Sequence, residues 1–282
     1  MQLIFMTTKI FKVIVPIILV TLPFAVPPFH LSADIGIFLT VISLLFAILI
    51  GFFISGATSN YLRMQTLISS MNTSLISLHS NSAIINAPEH AALTNAIDTY
   101  LIATLDYDLL DFSGLANAEF DNIINLVDQT RAHDDIGNAM LQHLHYAKAD
   151  LVANDEEIAI TAKTIVNPEH WLILVILASL IVVLLLSMRD NSIAVAVIVA
   201  ALNFTILHIL ILLYELDANI FLAKKLAFQA PQRVFLSLGL HPYFPDFATT
   251  LSHVTLPKQQ TYRVGTLLRS GKRKINLVKA GR

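Results

Sequence analysis

The chain has 282 residues, of which 55% are hydrophobic and 13% charged, and its mean hydropathy is +0.68. Soluble domains carry about 25% charged residues, so this composition excludes an ordinary soluble fold for much of the length. Cysteine is absent, which excludes disulfides, thiolate metal sites and cysteine nucleophiles. In chain order, the first apolar run is Val13–Phe29, ended by Pro27-Pro28, since proline stops a helix and restricts the residue before it. The second, Ile35–Ser55, starts where Ser32 or Asp34 can cap it. A short turn joins the two, which predicts a helical hairpin.

The second run has no breaker at its inner end beyond Gly51 and Gly56. Tyr61, Met64, Leu67, Ile68, Met71 and Leu75 continue the 3-4 spacing, which predicts one long helix leaving the membrane and running to about Ser80. Asn86-Ala87-Pro88-Glu89 reads as a turn and restart. Leu93, Ile97, Tyr100, Leu101, Leu105 and Leu109 mark an amphipathic helix, broken at Ser113-Gly114. Phe120, Ile123, Ile124, Val127, Met140, Leu141 and Leu144 predict one or two more helices, with an interruption near Gly137, and Leu151–Val166 another. Asn167-Pro168-Glu169 is a start signal for the third apolar run, Trp171–Met188. Arg189-Asp190-Asn191 turns the chain into the fourth, Ile193–Tyr214. Beyond it, Lys224–Gly239 reads as a short surface helix and His241–Pro245 as a rigid extended piece. The last 25 residues hold eight basic side chains and no acid, which predicts a mobile tail or one lying on anionic lipid head groups.

A bilayer core about 30 Å thick takes about 20 apolar helical residues, and none of the four runs contains a charge. The expectation is an all-α polytopic membrane protein with four transmembrane helices in two hairpins plus a cytoplasmic helical bundle. The hairpins span 1–56 and 169–217, the cytoplasmic domain 57–168, and a basic segment 218–282. Basic residues stay on the cytoplasmic side of membrane spans. With both termini inside, 17 of the 18 Lys and Arg lie there, Arg189 alone being outside. That places the chain in the cell (inner or plasma) membrane. A cleaved leader is the other reading of the first run, but no small-x-small cleavage site follows it. Charge is also split along the chain. Between Ala57 and Glu169 there are 15 acidic and 4 basic residues, net −11; from Lys224 to Arg282 there are 11 basic and 1 acidic, net +10. Opposite charges on one side of a membrane attract, so the two segments are expected to touch.

Few residues carry chemistry. His208 lies mid-span with Asn203 and Thr205 nearby; this group is read either as an interhelical hydrogen bond or as part of an ion pathway. Ala196 and Ala200 make a small-xxx-small packing pattern. Phe52 and Phe53 put adjacent aromatics at the inner end of span two, either as an interfacial belt or as a hydrophobic constriction that gates by dewetting. His133-Asp134-Asp135 and His143-x-His145 are the only clustered metal-type ligands. Helical positions two apart diverge by about 200°, so no metal site and no cofactor is expected. No nucleotide-binding, esterase or metalloprotease motif occurs, so no enzyme is expected. The basic tail lacks interleaved aromatics, so no nucleic-acid partner is expected either.

Three pieces of sequence resemble the bestrophin-like membrane domain of unknown function, a distant relative of bestrophins. They are Gly51-Phe52 followed by Asn60-Tyr61-Leu62-Arg63, then Glu169-His170-Trp171, and finally Leu216-Asp217-Ala218-Asn219 with Phe228–Gly239. The resemblance implies a homo-oligomer, a pentamer in bestrophins, that conducts ions (anions) through a pore lined by span two. By that resemblance Phe52 and Phe53 are neck candidates. The competing expectation is a non-conducting membrane scaffold whose cytoplasmic domain binds a partner.

Overall fold

The computed structural model describes residues 2–29, 34–106, 116–163, 166–218, 220–249, 254–257, 260–267 and 273–279. The expected cap at Ser32, the residues Leu109 and Asn219 and the break at Ser113-Gly114 lie outside them. The described chain is mostly helical and divides into two compact units, one of residues 1–59 and 164–218, the other of residues 60–163 and 219–282.

The first unit holds the apolar helices. Helix α1 (Gln2–Ala25) runs through Pro16 and Pro23 and makes its last backbone bond from Val26 N–H to Leu22 O, just before Pro27-Pro28. Helix α2 (Ile35–Ile85) is continuous over 51 residues, about 76 Å at 1.5 Å per residue. Neither Gly51 nor Gly56 interrupts it. Its first half, with α6 (Pro168–Ser187) and α7 (Ile193–Asp217), forms a core of Phe46, Ile50, Phe53, Ala57, Leu174, Ile181, Val199 and Leu213. Among the described residues three helices, α2, α6 and α7, are long and apolar enough to cross a membrane. Helix α1 packs along α7. At the head of α6, Pro168 sits at the first helical positions and Glu169 in the first turn, as the sequence signals, although the Asn167 side chain makes no cap bond.

The second unit is helical over most of its described length. The second half of α2 packs with α3 (Ala87–Asp106), α4 (Asn117–Gln129) and α5 (Asp135–Thr161). Met64, Leu67, Met71, Leu75 and Leu78 of α2 enter the core, with Tyr61 and Ile68 packed on its border. The 3-4 spacing read from the sequence therefore selects the buried face, and the helix runs past Ser80 to Ile85. Gly137 does not interrupt α5, nor does a separate helix begin at Leu151. Asp134 caps the helix by accepting the Gly137 N–H at 2.6 Å, so Gly137 lies in its first turn. Helix α8 (Ile220–Ser237) ends at Gly239, whose φ of 74° lets Leu240 N–H reach Phe235 O and Gly239 N–H reach Leu236 O.

The described chain is mostly helical, in keeping with an all-α membrane protein, and the C-terminal region, expected as a mobile or lipid-bound tail, adds three short strands. Strands β1 (Tyr243–Pro245), β2 (Tyr262–Leu267) and β3 (Arg273–Val278) form a sheet in that order, β1 parallel and β3 antiparallel to β2. The short helix α9 (Asp246–Thr249) follows β1. The reason is tertiary: burial of Tyr243 and Phe244 in β1 gives the later strands a template.

Candidate functional site

Along α2 the exposed positions Val41, Leu45, Ile48, Phe52 and Ser55 recur every three or four residues, opposite the buried stripe Phe46, Ile50, Phe53 and Ala57. One face of the apolar half is therefore packed into its unit and one is left open. The two aromatics fall on different sides. Phe52 is 72% exposed and Phe53 is 8% exposed, their rings edge-on at 5.6 Å. Behind Phe53 sits the His170 ring of α6, at 5.1 Å, with its Nδ1 buried and unpartnered among the described residues. No charged residue occurs between Asp34 and Arg63, so the open face presents hydrocarbon, the aromatic rings of Phe38 and Phe52, and then hydroxyls. Val41, Leu45 and Ile48 were not singled out in the sequence reading, yet their 4-3-4 spacing with Phe52 was there to be read.

The intramembrane polar residues are separated rather than clustered. Asn203 is fully buried and reaches from α7 to Leu19 O of α1 at 3.5 Å. Thr205 donates to Ala201 O at 2.9 Å, one turn back on its own helix. His208 is exposed, with Nδ1 2.9 Å from Phe204 O and its ring 3.8 Å from the Phe204 ring. Asn203 thus belongs to a helix–helix contact, and the other two satisfy themselves locally on the outer face.

The remaining singled-out residues hold the elements in place. Asn60 Nδ2 donates to Thr161 O at 2.8 Å, and Arg63 Nε donates to Glu157 Oε1 at 2.7 Å, tying α2 to the end of α5. Tyr61 lies against the bundle core beside them. Trp171 meets Tyr214 edge-on at 6.3 Å. The carboxylate of Asp217, 5% exposed, accepts the Val166 N–H at 3.0 Å, joining the last residue of α7 to the segment just before α6. Gly51 lies on the open side of α2, where an added Cβ would meet nothing within 4 Å. Asp134 caps α5. Among the described residues no group of three or more His, Asp or Glu is placed to hold a metal ion.

A mostly helical chain with three apolar helices of bilayer length among its described residues is an integral membrane protein in class. The bestrophin-like domain matches residues 10–218, and the chain belongs to that family. A crystal structure of a membrane protein has a similar fold, with a TM-score of 0.56 at 16% identity, covering 83% of this chain and 99% of that one. None of the curated proteins matches the chain.

Proposed function

We propose that the chain is an ion channel of the bestrophin type. Several copies form a ring and the open face of α2 lines the pore. The observation that supports this reading most is that uncharged face, with Phe52 standing out from it while its neighbour Phe53 is anchored inward against His170. A single helix cannot enclose a conduit, but identical helices around a closed symmetry axis can. Phe52 then narrows the path as a hydrophobic constriction that excludes water until it widens, and Phe53 fixes the rotation of α2. The pentamer and the anion preference of bestrophins are part of the same proposal. So is a fourth span through α1, with both termini on the cytoplasmic side and Lys9, Lys12, Arg63 and Lys163 at the inner leaflet.

The test is flux from liposomes containing the purified chain. Phe52→Ala should raise ion flux severalfold with the protein as stable as before. Phe53→Ala should instead lower thermal stability, by about 3–5 kcal/mol as for other buried Phe truncations. Absence of flux for anions and cations alike, unaltered by Phe52→Ala, would leave the non-conducting scaffold as the reading.

A further inference from the structure

The sheet of the C-terminal region ends on a strand with one free edge. Its order is β1–β2–β3, and among the described residues no strand pairs with the far side of β3. The ladder itself says which backbone groups face that side. Arg263 N–H donates to Pro242 O at 2.7 Å, so the polar groups of Arg263 point toward β1. Successive residues of a strand point to opposite neighbours, so Tyr262, Val264 and Thr266 face β3. Their cross-strand partners are Val278, Asn276 and Lys274. The N–H and C=O groups of Ile275 and Leu277 therefore point outward, away from the sheet.

The side chains on this edge are also open. Ile275 and Leu277 are 43% and 64% exposed, on the face they share with Gly265 and Arg263. Lys274 and Asn276 project from the opposite face and are exposed. Natural sheets blunt such edges with charged side chains, lysine above all, or with proline, bulges or covering elements, and β3 carries the charge, at Arg273 and Lys274. This strand has no proline, and its register with β2 is uninterrupted over all six residues.

We infer that the β3 edge binds an extended acidic segment of a partner protein as a fourth strand. Such strand addition takes its affinity from main-chain bonds and its selectivity from alternate side chains. Here the ligand alternates apolar residues beside Ile275 and Leu277 with carboxylates beside Lys274. Charge selects this occupant. A second copy of β3 would bring together two 25-residue tails that each carry eight basic residues and no acid, and like-charged segments repel. The chain's own acidic stretch lies largely on α3, α4 and α5, whose backbone groups are already bonded within their helices. An anionic lipid surface could meet the lysines but offers no strand to the outward N–H and C=O groups.

The experiment uses the full chain in zwitterionic nanodiscs and a fluorescein-labelled eight-residue peptide alternating Val and Glu, followed by anisotropy. Saturable binding is expected, lost at least about tenfold in Ile275→Pro, because proline there removes an outward donor and none of the ladder bonds. Leu277→Pro repeats the test at the second outward N–H, and an unaltered tryptic pattern of the hairpin shows that the sheet persists. Lys274→Glu should weaken binding, and a peptide alternating Val and Lys should not bind. Equal affinity for the two peptides, or undiminished binding to both proline variants, would overturn the inference. So would a protein that binds phosphatidylserine vesicles but neither peptide, which would give the edge to lipid.

Discussion

His79 and His90 face each other across the turn between α2 and α3, ring centroids 4.5 Å apart. Thr94 Oγ1 lies 3.1 Å from His79 Nδ1, and Ser82 Oγ lies 2.9 Å from His90 Nδ1. Burial, and then the neighbouring His90, hold the His79 imidazole below its ordinary value of 6.5. The sign follows from proton counting. Below pH 6.5 the unfolded chain takes up a proton at this residue that the folded chain resists, so stability is intact at neutral pH and falls as the pH drops through that value. Thermal unfolding between pH 7.5 and 5 should show this loss, and His79→Gln should flatten it. A variant with an unchanged acid slope would remove His79 as the cause.

At the scale of elements, the C-terminal hairpin is fastened to α3 by charge and by one tyrosine. Arg263 makes a bidentate pair with Asp98 at 2.7 and 2.8 Å and lies over the Phe235 ring at 4.9 Å. Arg273 Nε donates to Asp106 Oδ2 at 2.5 Å, while the Tyr243 hydroxyl donates to Asp106 Oδ1 at 2.7 Å. Burial and the Asp106 carboxylate push that phenol above its ordinary range, so it stays a donor at any physiological pH. Gln232 clamps the same tyrosine, accepting its N–H at 2.9 Å and donating to its C=O at 2.8 Å. Gly265 is required where β2 crosses this ring, because a Cβ would fall 1.9 Å from the Tyr243 hydroxyl and 2.5 Å from its ring carbon. Gly265→Ala should therefore detach the hairpin, read as faster tryptic cleavage at Arg263 and Arg273 while the helical bundle stays resistant. Cleavage at the wild-type rate would mean that the tyrosine can move aside at little cost.

At the scale of the whole molecule, the acidic middle and the basic tail do meet, through Arg263 with Asp98 and Arg273 with Asp106. Two regions joined in one unit cannot lie on opposite sides of a membrane. Reporter fusions inserted at Asn154 and at the C-terminal end should accordingly report the same compartment. Reports from opposing faces would mean an odd number of crossings between them.

The sequence by itself determined the membrane character, the continuity of α2 and the buried face of its second half. Partition into lipid and helical periodicity are properties of one segment, needing no knowledge of its neighbours. The start at Pro168 and the stop at Gly239 were legible for the same reason, since backbone restriction is local. What only the tertiary structure decided is which side each residue faces and what it meets. Phe52 and Phe53 are the same residue type, and packing of Phe53 into the core of α2, α6 and α7, with the His170 ring against it, separates them. Asn203 and His208 share a span but answer to different neighbours, α1 for one and its own preceding turn for the other. Strands β2 and β3 were hidden because a strand's partner lies elsewhere in the chain: short runs such as Tyr262–Leu267 carry weak periodicity until β1 offers an edge to pair with.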